Sequence, residues 1–297
     1  MIYQEITENK VRSWILIFSF FIIIAGLGLA FGYYFGNLAF GLGLAIVISI
    51  FITLISYFSG DRMILQMSNA KPVDRKKYPH LVNSVEGLAI AAGIKTPKIY
   101  MIDDTAMNAF ATGRNPERAS ITVTSGIVEK LNRTELEGVI AHEMSHIKNF
   151  DIRLMMLVVI LVGVIALISD LFLRGLFYGK GDRENGKYAL PFLIFGILMI
   201  ILAPIIAQLI KLAVSRQREY LADADGALLT RYPKGLANAL RKLSKDKEIL
   251  EAANKATAHL YIVNPLKNAN DYVSKLMSTL FSTHPKIEER VKRLEGM

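Results

Sequence analysis

Long uncharged runs of apolar residues dominate the first part of the chain. Residues 13–60 contain no charged side chain. About 18 apolar residues are enough for a helix to cross a hydrocarbon core roughly 30 Å thick, and this run is long enough for two crossings. It therefore predicts a transmembrane helical hairpin over 13–60, with Trp14–Phe35 as the first span, a turn at Gly36 and Asn37, and Leu38–Phe58 as the second span.

Two further apolar blocks, Leu154–Leu173 and Ala189–Ile210, predict a second helix pair over residues 154–210. The first block has one acidic residue, Asp170, near its far end, and the second contains two prolines. Membrane helices tolerate proline when neighbouring groups satisfy the freed backbone atoms. The alternative is a pair of core helices in a large globular domain. Their length and their lack of charge favour membrane spans.

The segments outside these blocks have the patterns of a globular domain. Tyr78–Ala92 predicts an amphipathic helix that ends at Gly93. Lys98–Asp103 and Ala119–Thr124 are rich in β-forming residues, with Met107–Gly113 between them, and together they predict a small sheet or meander.

The last part of the chain has helical patterns throughout. Lys211–Leu229 predicts a helix that continues out of the last apolar block, and amphipathic helices follow from Pro233. The chain should end in a surface helix with Pro285 near its first turn. The residues outside the apolar blocks therefore predict a mainly helical domain with a small sheet, in two parts, 61–153 and 211–297.

Charge and composition narrow the classes of partner. The chain has no cysteine, which excludes disulfides and thiolate metal sites. Its net charge of +9 comes without a basic stripe interleaved with aromatic residues, so we expect no nucleic-acid partner. Basic residues instead flank the apolar blocks, and such residues lie on the cytoplasmic side of a membrane. With four crossings they all fall on one side, although the loop between the last two blocks is also basic. The flanking cations are Lys10, Arg12, Arg62, Lys71, Arg75, Lys76, Lys77, Lys148, Arg153, Lys211, Arg216 and Arg218.

Two of the five histidines stand four residues apart in "GVIAHEMSHIKNFD", Gly138–Asp151. Thr134 with Glu137 three residues later has the spacing of a capping box, and the apolar positions that follow recur at helical spacing. On a helix, His142 and His146 share one face and can bind one tetrahedral zinc ion. The alternative is a pair of incidental surface histidines.

Glu143 completes an H-E-x-x-H motif, the arrangement of metallopeptidases. It lies one step round the helix from His142, so it is close to the ion without pointing directly at it. A carboxylate in that position can accept a proton from a water molecule that the metal has activated.

The third ligand has to come from elsewhere, because the glycine and histidine that follow the motif in metzincins are absent. "SRQREYLADADG" offers Glu219 and Asp223, four residues apart on one helical face. Taken alone, these acids fit a solvated helix stripe equally well. The two apolar blocks between His146 and Glu219 would carry the chain across the membrane and back, which favours Glu219 as the metal ligand. Asp223 would accept an N–H from a ligand histidine and fix its tautomer.

The set of motifs closely resembles the HtpX-type membrane zinc peptidases, gluzincins related to the Ste24/CAAX-type peptidases. The shared features are the apolar hairpin, "NAFATG", "HEMSH…D", the second apolar pair, "SRQREYLAD" and a late "THP", and they cover nearly the whole chain. The resemblance implies one Zn²⁺ per subunit on His142, His146 and Glu219, with Glu143 as the catalytic base. It also implies a multi-pass enzyme of the bacterial cytoplasmic membrane that faces the cytosol and degrades damaged or misfolded membrane proteins. It leaves the oligomeric state open.

Three further residues match the family pattern. Asn108 and its neighbours correspond to a strand beside the cleft, where an exposed edge could bind an extended peptide by main-chain hydrogen bonds; alternatively, Asn108 is a turn residue. His284 could stabilise the oxyanion or cap the last helix, and Asp151 should be structural. The predicted fold is mainly α (α+β), a multi-pass helical membrane protein with a zincin-like cytosolic catalytic domain that contains a small β-sheet.

Three other functions are less compatible with the sequence. An intramembrane protease would bury charges such as Glu135, Lys148 and Arg153 in lipid, which is costly. A catalytically silent scaffold or chaperone with a structural zinc would need four protein ligands, and the sequence offers three. An ion transporter would need several ionisable residues within the spans, where Asp170 is almost the only one.

Overall fold

The computed structural model describes residues 2–34, 36–161, 163–164, 215–252, 257–263, 265 and 285–297. Most of the predicted second apolar pair, from residue 165 onward, lies outside the described residues. His284 also lies outside them.

An N-terminal hairpin is formed by α1 (Ile2–Tyr34) and α2 (Leu38–Met67). The turn falls at Gly36 and Asn37, as the sequence predicts. Gly36 has a φ of 73°, in the left-handed region that glycine adopts without strain. The Asn37 side chain then accepts a hydrogen bond from the backbone N–H of Phe40 and caps α2.

Both hairpin helices expose their apolar side chains. Ile6–Leu29 and Leu38–Met67 are long and apolar enough to cross a bilayer. Trp14 on α1 is 70% exposed and Phe51 on α2 is 63% exposed. An apolar surface of this length is unfavourable in water and favourable in lipid.

A third helix, α6 (residues 151–161), covers part of the hairpin. One set of its side chains packs against α1, and another packs near Ile64 of α2. The start of the third apolar block is therefore buried against the hairpin. The α6 residues in the apolar cluster with α1 are Leu154, Leu157, Val158 and Leu161.

The globular part contains a four-stranded sheet. Its strands are β1 (Lys71–Pro72), β2 (Lys98–Ile102), β3 (Ala109–Gly113) and β4 (Ala119–Thr124). Their order is β1-β2-β4-β3, with β2 parallel to β4 and β3 antiparallel to β4. The meander alternative is therefore wrong, because β4 inserts between β2 and β3.

Helices pack on this sheet and on each other around one buried helix, α5. They are α3 (Pro79–Ala92), α4 (Ser125–Lys130), α5 (Arg133–Lys148), α7 (Arg216–Thr230), α8 (Pro233–Lys245) and α9 (Ile287–Glu295). Helix α3 ends at Gly93, as predicted, in the left-handed conformation. Val139, Ile140, Met144 and Ile147 of α5 are fully buried in the core of this domain.

The predicted capping box of α5 is wrong by two residues. Asn132 is the N-cap, and its side chain accepts a hydrogen bond from the backbone N–H of Glu135. The Glu135 carboxylate accepts one in return from the Asn132 N–H at 2.9 Å. Asparagine caps as well as threonine does, so the helix begins two residues earlier than predicted. Glu137 instead pairs with Arg133 at 2.8 Å.

Gly138 brings α5 against α8, which leads to a stability prediction. A Cβ at Gly138 would lie 2.7 Å from the backbone nitrogen of Leu236. Gly138→Ala should therefore lower the unfolding free energy by about 1–3 kcal/mol through overpacking. The control is Gly87→Ala on α3, where a Cβ meets nothing within 4 Å and alanine should stabilise the helix by about 0.5–1 kcal/mol. In detergent, the unfolding temperature of Gly138→Ala should fall and that of Gly87→Ala should rise. Equal shifts in the two variants would contradict the close contact.

Candidate metal centre

Helices α5 and α7 bring three metal-binding side chains together. His142 and His146 lie on one face of α5, with their Nε2 atoms 3.2 Å apart. Glu219 of α7 places Oε1 3.6 Å from His146 Nε2 and Oε2 3.8 Å from His142 Nε2. The three candidate ligand atoms lie within 4.8 Å of one another, and all three residues are buried. Two imidazoles and one carboxylate in this arrangement are typical zinc ligands.

The close approach of α7 to α5 depends on Gly226. A Cβ at this position would lie 3.0 Å from the backbone nitrogen of His142. The small residue lets α7 lie directly against the turn that carries the ligand histidine. This contact is what places Glu219 and Asp223 beside α5.

A carboxylate orients each histidine ring. Asp223 Oδ1 lies 3.0 Å from His142 Nδ1, and Asp151 Oδ2 lies 2.9 Å from His146 Nδ1. With each Nδ1–H donating to its carboxylate, the Nε2 lone pairs face the shared point. Asp151 lies just after the motif helix. The sequence predicts a structural role for it, and its contact with His146 specifies that role as orienting the ring.

Arg290 of α9 belongs to the same cluster and was not predicted. Its side chain is fully buried, on the inner face of the predicted surface helix, whose other face is exposed. The Arg290 Nε and Nη2 atoms donate to Asp223 at 2.8 and 2.7 Å, a bidentate pair. Its Nη1 lies 3.4 Å from Glu219 Oε2. The available signal was its spacing, since Arg290 falls on the apolar face of α9 with Val291 and Leu294.

Glu143 is buried beside the histidines. Burial raises the pKa of its carboxyl group to about 7, with a further contribution from the negative charge of Glu219. The backbone N–H of Ala111 on β3 donates a hydrogen bond to it, which acts in the opposite direction. A buried carboxyl group whose pKa lies near neutrality is suited to accept and return a proton.

The carboxylates around His146 favour positive charge there. Burial alone lowers the pKa of His146, but the hydrogen bond to Asp151 and the charges of Glu219 and Asp151 outweigh it and raise the pKa to about 9. The same negative potential that holds a proton also attracts a metal cation. The negative potential at His146 is therefore consistent with a cation bound by His142, His146 and Glu219.

The edge of β3 lies beside Glu143 and is covered by the chain itself. Ile262 donates its backbone N–H to the carbonyl of Ala109 at 3.0 Å, and the Ile262 carbonyl accepts a hydrogen bond from Arg290 at 3.3 Å. Asn108 is buried, and its side-chain amide donates to the carbonyl of Val263 at 2.9 Å. The exposed edge expected near Asn108 is therefore not exposed, because a buried strand edge has to be paired. The role of Asn108 in substrate binding stays a prediction.

Comparisons with known proteins agree with this site. The family model for peptidase family M48 matches residues 75–297. The chain belongs to peptidase family M48. The resemblance to HtpX-type peptidases is confirmed, because curated relatives named "Protease HtpX homolog" are similar over nearly full length. The relative from Dictyoglomus thermophilum is 46% identical over 99% of this chain and 94% of its own. That from Tropheryma whipplei strain Twist is 44% identical over 100% of this chain and 99% of its own.

A solved structure shares the fold. The crystal structure of Ste24p from S. mikatae has a TM-score of 0.51, with 20% sequence identity, and the match covers 99% of this chain and 67% of that chain. The predicted fold class, mainly helical with a small sheet, is confirmed.

The M48 family makes this protein a membrane metalloprotease, and the predicted enzyme class is confirmed. The metal that the family implies fits the residues present. His142, His146 and Glu219 offer convergent donors, and the carboxylates of Asp151 and Asp223 fix the tautomers that a metal needs.

Proposed function

We propose that this M48 protein is a zinc endopeptidase that hydrolyses damaged or misfolded membrane proteins, with one zinc ion per subunit. The observation that carries the proposal is the convergence of His142, His146 and Glu219 beside the buried carboxyl group of Glu143. Three protein ligands leave a position for water, as catalytic zinc sites do, whereas structural sites use four.

Within the site, each residue has a separable task. Bound zinc would polarise the scissile carbonyl and make water a better nucleophile. Glu143 accepts the proton of the attacking water and returns it to the leaving amine. Asp223 and Asp151 hold the two rings, and Arg290 neutralises the charge that Asp223 and Glu219 bring into the core.

The substrate should bind as an extended peptide along β3. The Ala109 carbonyl and the Ala111 N–H lie on the edge of β3 that faces away from β4, because the Asn108 carbonyl accepts from the Thr124 N–H of β4 at 3.0 Å and the direction alternates from residue to residue. Glu143 already bonds to Ala111 on this edge. A peptide that pairs with Ala109 has to displace the backbone of Ile262, so substrate binding requires residues 261–263 to move.

The hairpin and the basic residues support a location in a membrane. The exposed apolar surface of α1 and α2 supports lipid as a partner. The cations that flank the apolar blocks favour a catalytic domain on the cytosolic side of a bacterial cytoplasmic membrane. His284 remains a candidate for stabilising the oxyanion.

The test is zinc-dependent hydrolysis by the full chain. The protein would be purified in detergent under chelation, analysed for metal, and then given zinc with casein as substrate. We expect one zinc per chain, cleavage of casein together with self-cleavage, and loss of both on renewed chelation. Magnesium serves as the control, because it prefers oxygen ligands and should not restore activity. A folded chain that binds zinc and cleaves nothing would instead be a scaffold with a structural metal.

A further inference from the structure

A buried asparagine of the first membrane helix reaches the metal centre. Asn9 of α1 is only 1% exposed. Its side-chain amide donates to the carbonyl of Asn149 at 2.9 Å and to Asp151 Oδ1 at 2.7 Å. Its Oδ1 accepts a hydrogen bond from Arg218 Nη1 at 3.0 Å. Both amide hydrogens and the oxygen are engaged, so the orientation of the side chain is fully specified.

The two groups that Asn9 holds lie on either side of a sharp turn. Helix α5 ends at Lys148 with Asn149 as its C-cap, and Phe150 adopts a left-handed conformation with a φ of 61°. A residue other than glycine keeps this conformation only when its surroundings hold it. The turn directs Asp151 back towards α5, where its Oδ2 lies 2.9 Å from His146 Nδ1. Asn9 therefore clamps the residue before the turn and the residue after it.

The same asparagine also contacts the helix that supplies the third ligand. Arg218, next to Glu219 on α7, is buried and also lies 3.4 Å from Asp151 Oδ1. Hydrogen bonds thus join α1, the end of α5 and the start of α7 around one carboxylate. The relative position of α5 and α7 sets the distance between His146 and Glu219.

We propose that Asn9 is a positioning residue. It holds the Asp151 carboxylate against His146 and so couples the docking of the first membrane helix to the metal affinity of the catalytic centre. The helix is then part of the metal site as well as an anchor. The inference rests on the proposed role of His146 as a zinc ligand.

The experiment compares Asn9→Leu with Ser13→Ala in the full chain in detergent. Ser13 is a matched control, because it is buried one turn further along α1 and its hydroxyl donates only to the Asn9 carbonyl of the same helix. Partners of metal-binding histidines change metal affinity by about 10–100-fold when removed. Asn9 acts through such a partner, so Asn9→Leu should weaken zinc binding about tenfold, measured by competition with a chelator. Ser13→Ala should bind zinc as the wild type does.

Two further measurements separate positioning from a general loss of packing. The visible absorption of the cobalt-substituted protein should change in Asn9→Leu and not in Ser13→Ala, because it reports the ligand geometry. On an Asp151→Ala background, Asn9→Leu should have no further effect on zinc affinity. Asn9→Ser, which keeps a small hydrogen-bonding group, should show an intermediate affinity and provides a variant with less risk of misfolding.

Wild-type zinc affinity in a folded Asn9→Leu protein would overturn the proposal. Independent effects of Asn9→Leu and Asp151→Ala would also overturn it, because Asn9 would then act by another route. Zinc affinity is measured without cleavage. A chain that binds zinc tightly and hydrolyses nothing would contradict the proposed function and would still give a result for Asn9. A wild-type chain with no zinc affinity would overturn both.

Discussion

Replacing Glu143 by glutamine should lower the rate of peptide cleavage by about 10²–10⁴-fold, the usual contribution of a general acid–base group, while the protein keeps its zinc. Glutamine has nearly the same shape and can still accept the hydrogen bond from the Ala111 N–H. It has no basic oxygen to take a proton from water. Since this proton transfer occurs only on the way to the transition state, kcat should fall and KM should change little.

Glu135→Gln is the matched control for this variant. Glu135 is a second buried glutamate of α5. It pairs with Lys242 at 2.7 Å and has no proposed role at the metal centre. Glutamine at this position still completes the capping box, so the variant should lose some stability and keep its cleavage rate. Steady-state kinetics on casein and metal analysis of both variants provide the measurement. Unchanged turnover in the Glu143 variant would refute its role as the base.

The parts of the fold that local patterns determine were predictable from the sequence. The hairpin follows from uncharged residues 13–60, and its turn follows from Gly36 and Asn37. The motif helix follows from the spacing of its apolar positions, and helical geometry then places His142 beside His146. In each case the information lies in one continuous stretch of the sequence.

Contacts between distant segments were harder to predict. Glu219 could be proposed only through the predicted topology of the apolar blocks. Arg290 was missed because an arginine on an amphipathic helix usually lies in solvent, and only the tertiary structure shows that two buried carboxylates require it. The pairing of Ile262 with Ala109 was missed for the same reason, since the sequence does not show which segment covers a strand edge.

The capping box illustrates a different limit. Two overlapping patterns, Asn132 with Glu135 and Thr134 with Glu137, both satisfy the local rule. The first is realised, and its Glu135 carboxylate also reaches Lys242 of α8. Of two capping patterns that satisfy the same local rule, the one that forms is thus the one whose glutamate also makes a long-range ion pair.

Arg290→Met should destabilise the metal-free protein more than any other single change at this site that retains the histidines. Arg290 is fully buried and forms a bidentate pair with Asp223, and it lies 3.4 Å from Glu219. Methionine fills a similar volume but leaves both carboxylates without this counter-charge. Removing one partner of a buried ion pair costs about 3–5 kcal/mol of unfolding free energy. Zinc should recover part of this loss, because its positive charge acts on Glu219.

Arg293→Met is the control for Arg290→Met on the same helix. Arg293 is exposed and stacks over the ring of Tyr220 at 3.7 Å, a contact worth about 0.5–1 kcal/mol at the surface. Thermal unfolding in detergent, with and without zinc, should therefore separate the two variants clearly. The double variant Arg290→Met with Asp223→Leu should lose less unfolding free energy than the two single variants lose together, because it also removes the carboxylate that Arg290→Met leaves unpaired. Equal stability of the two arginine variants would show that the buried carboxylates do not depend on Arg290.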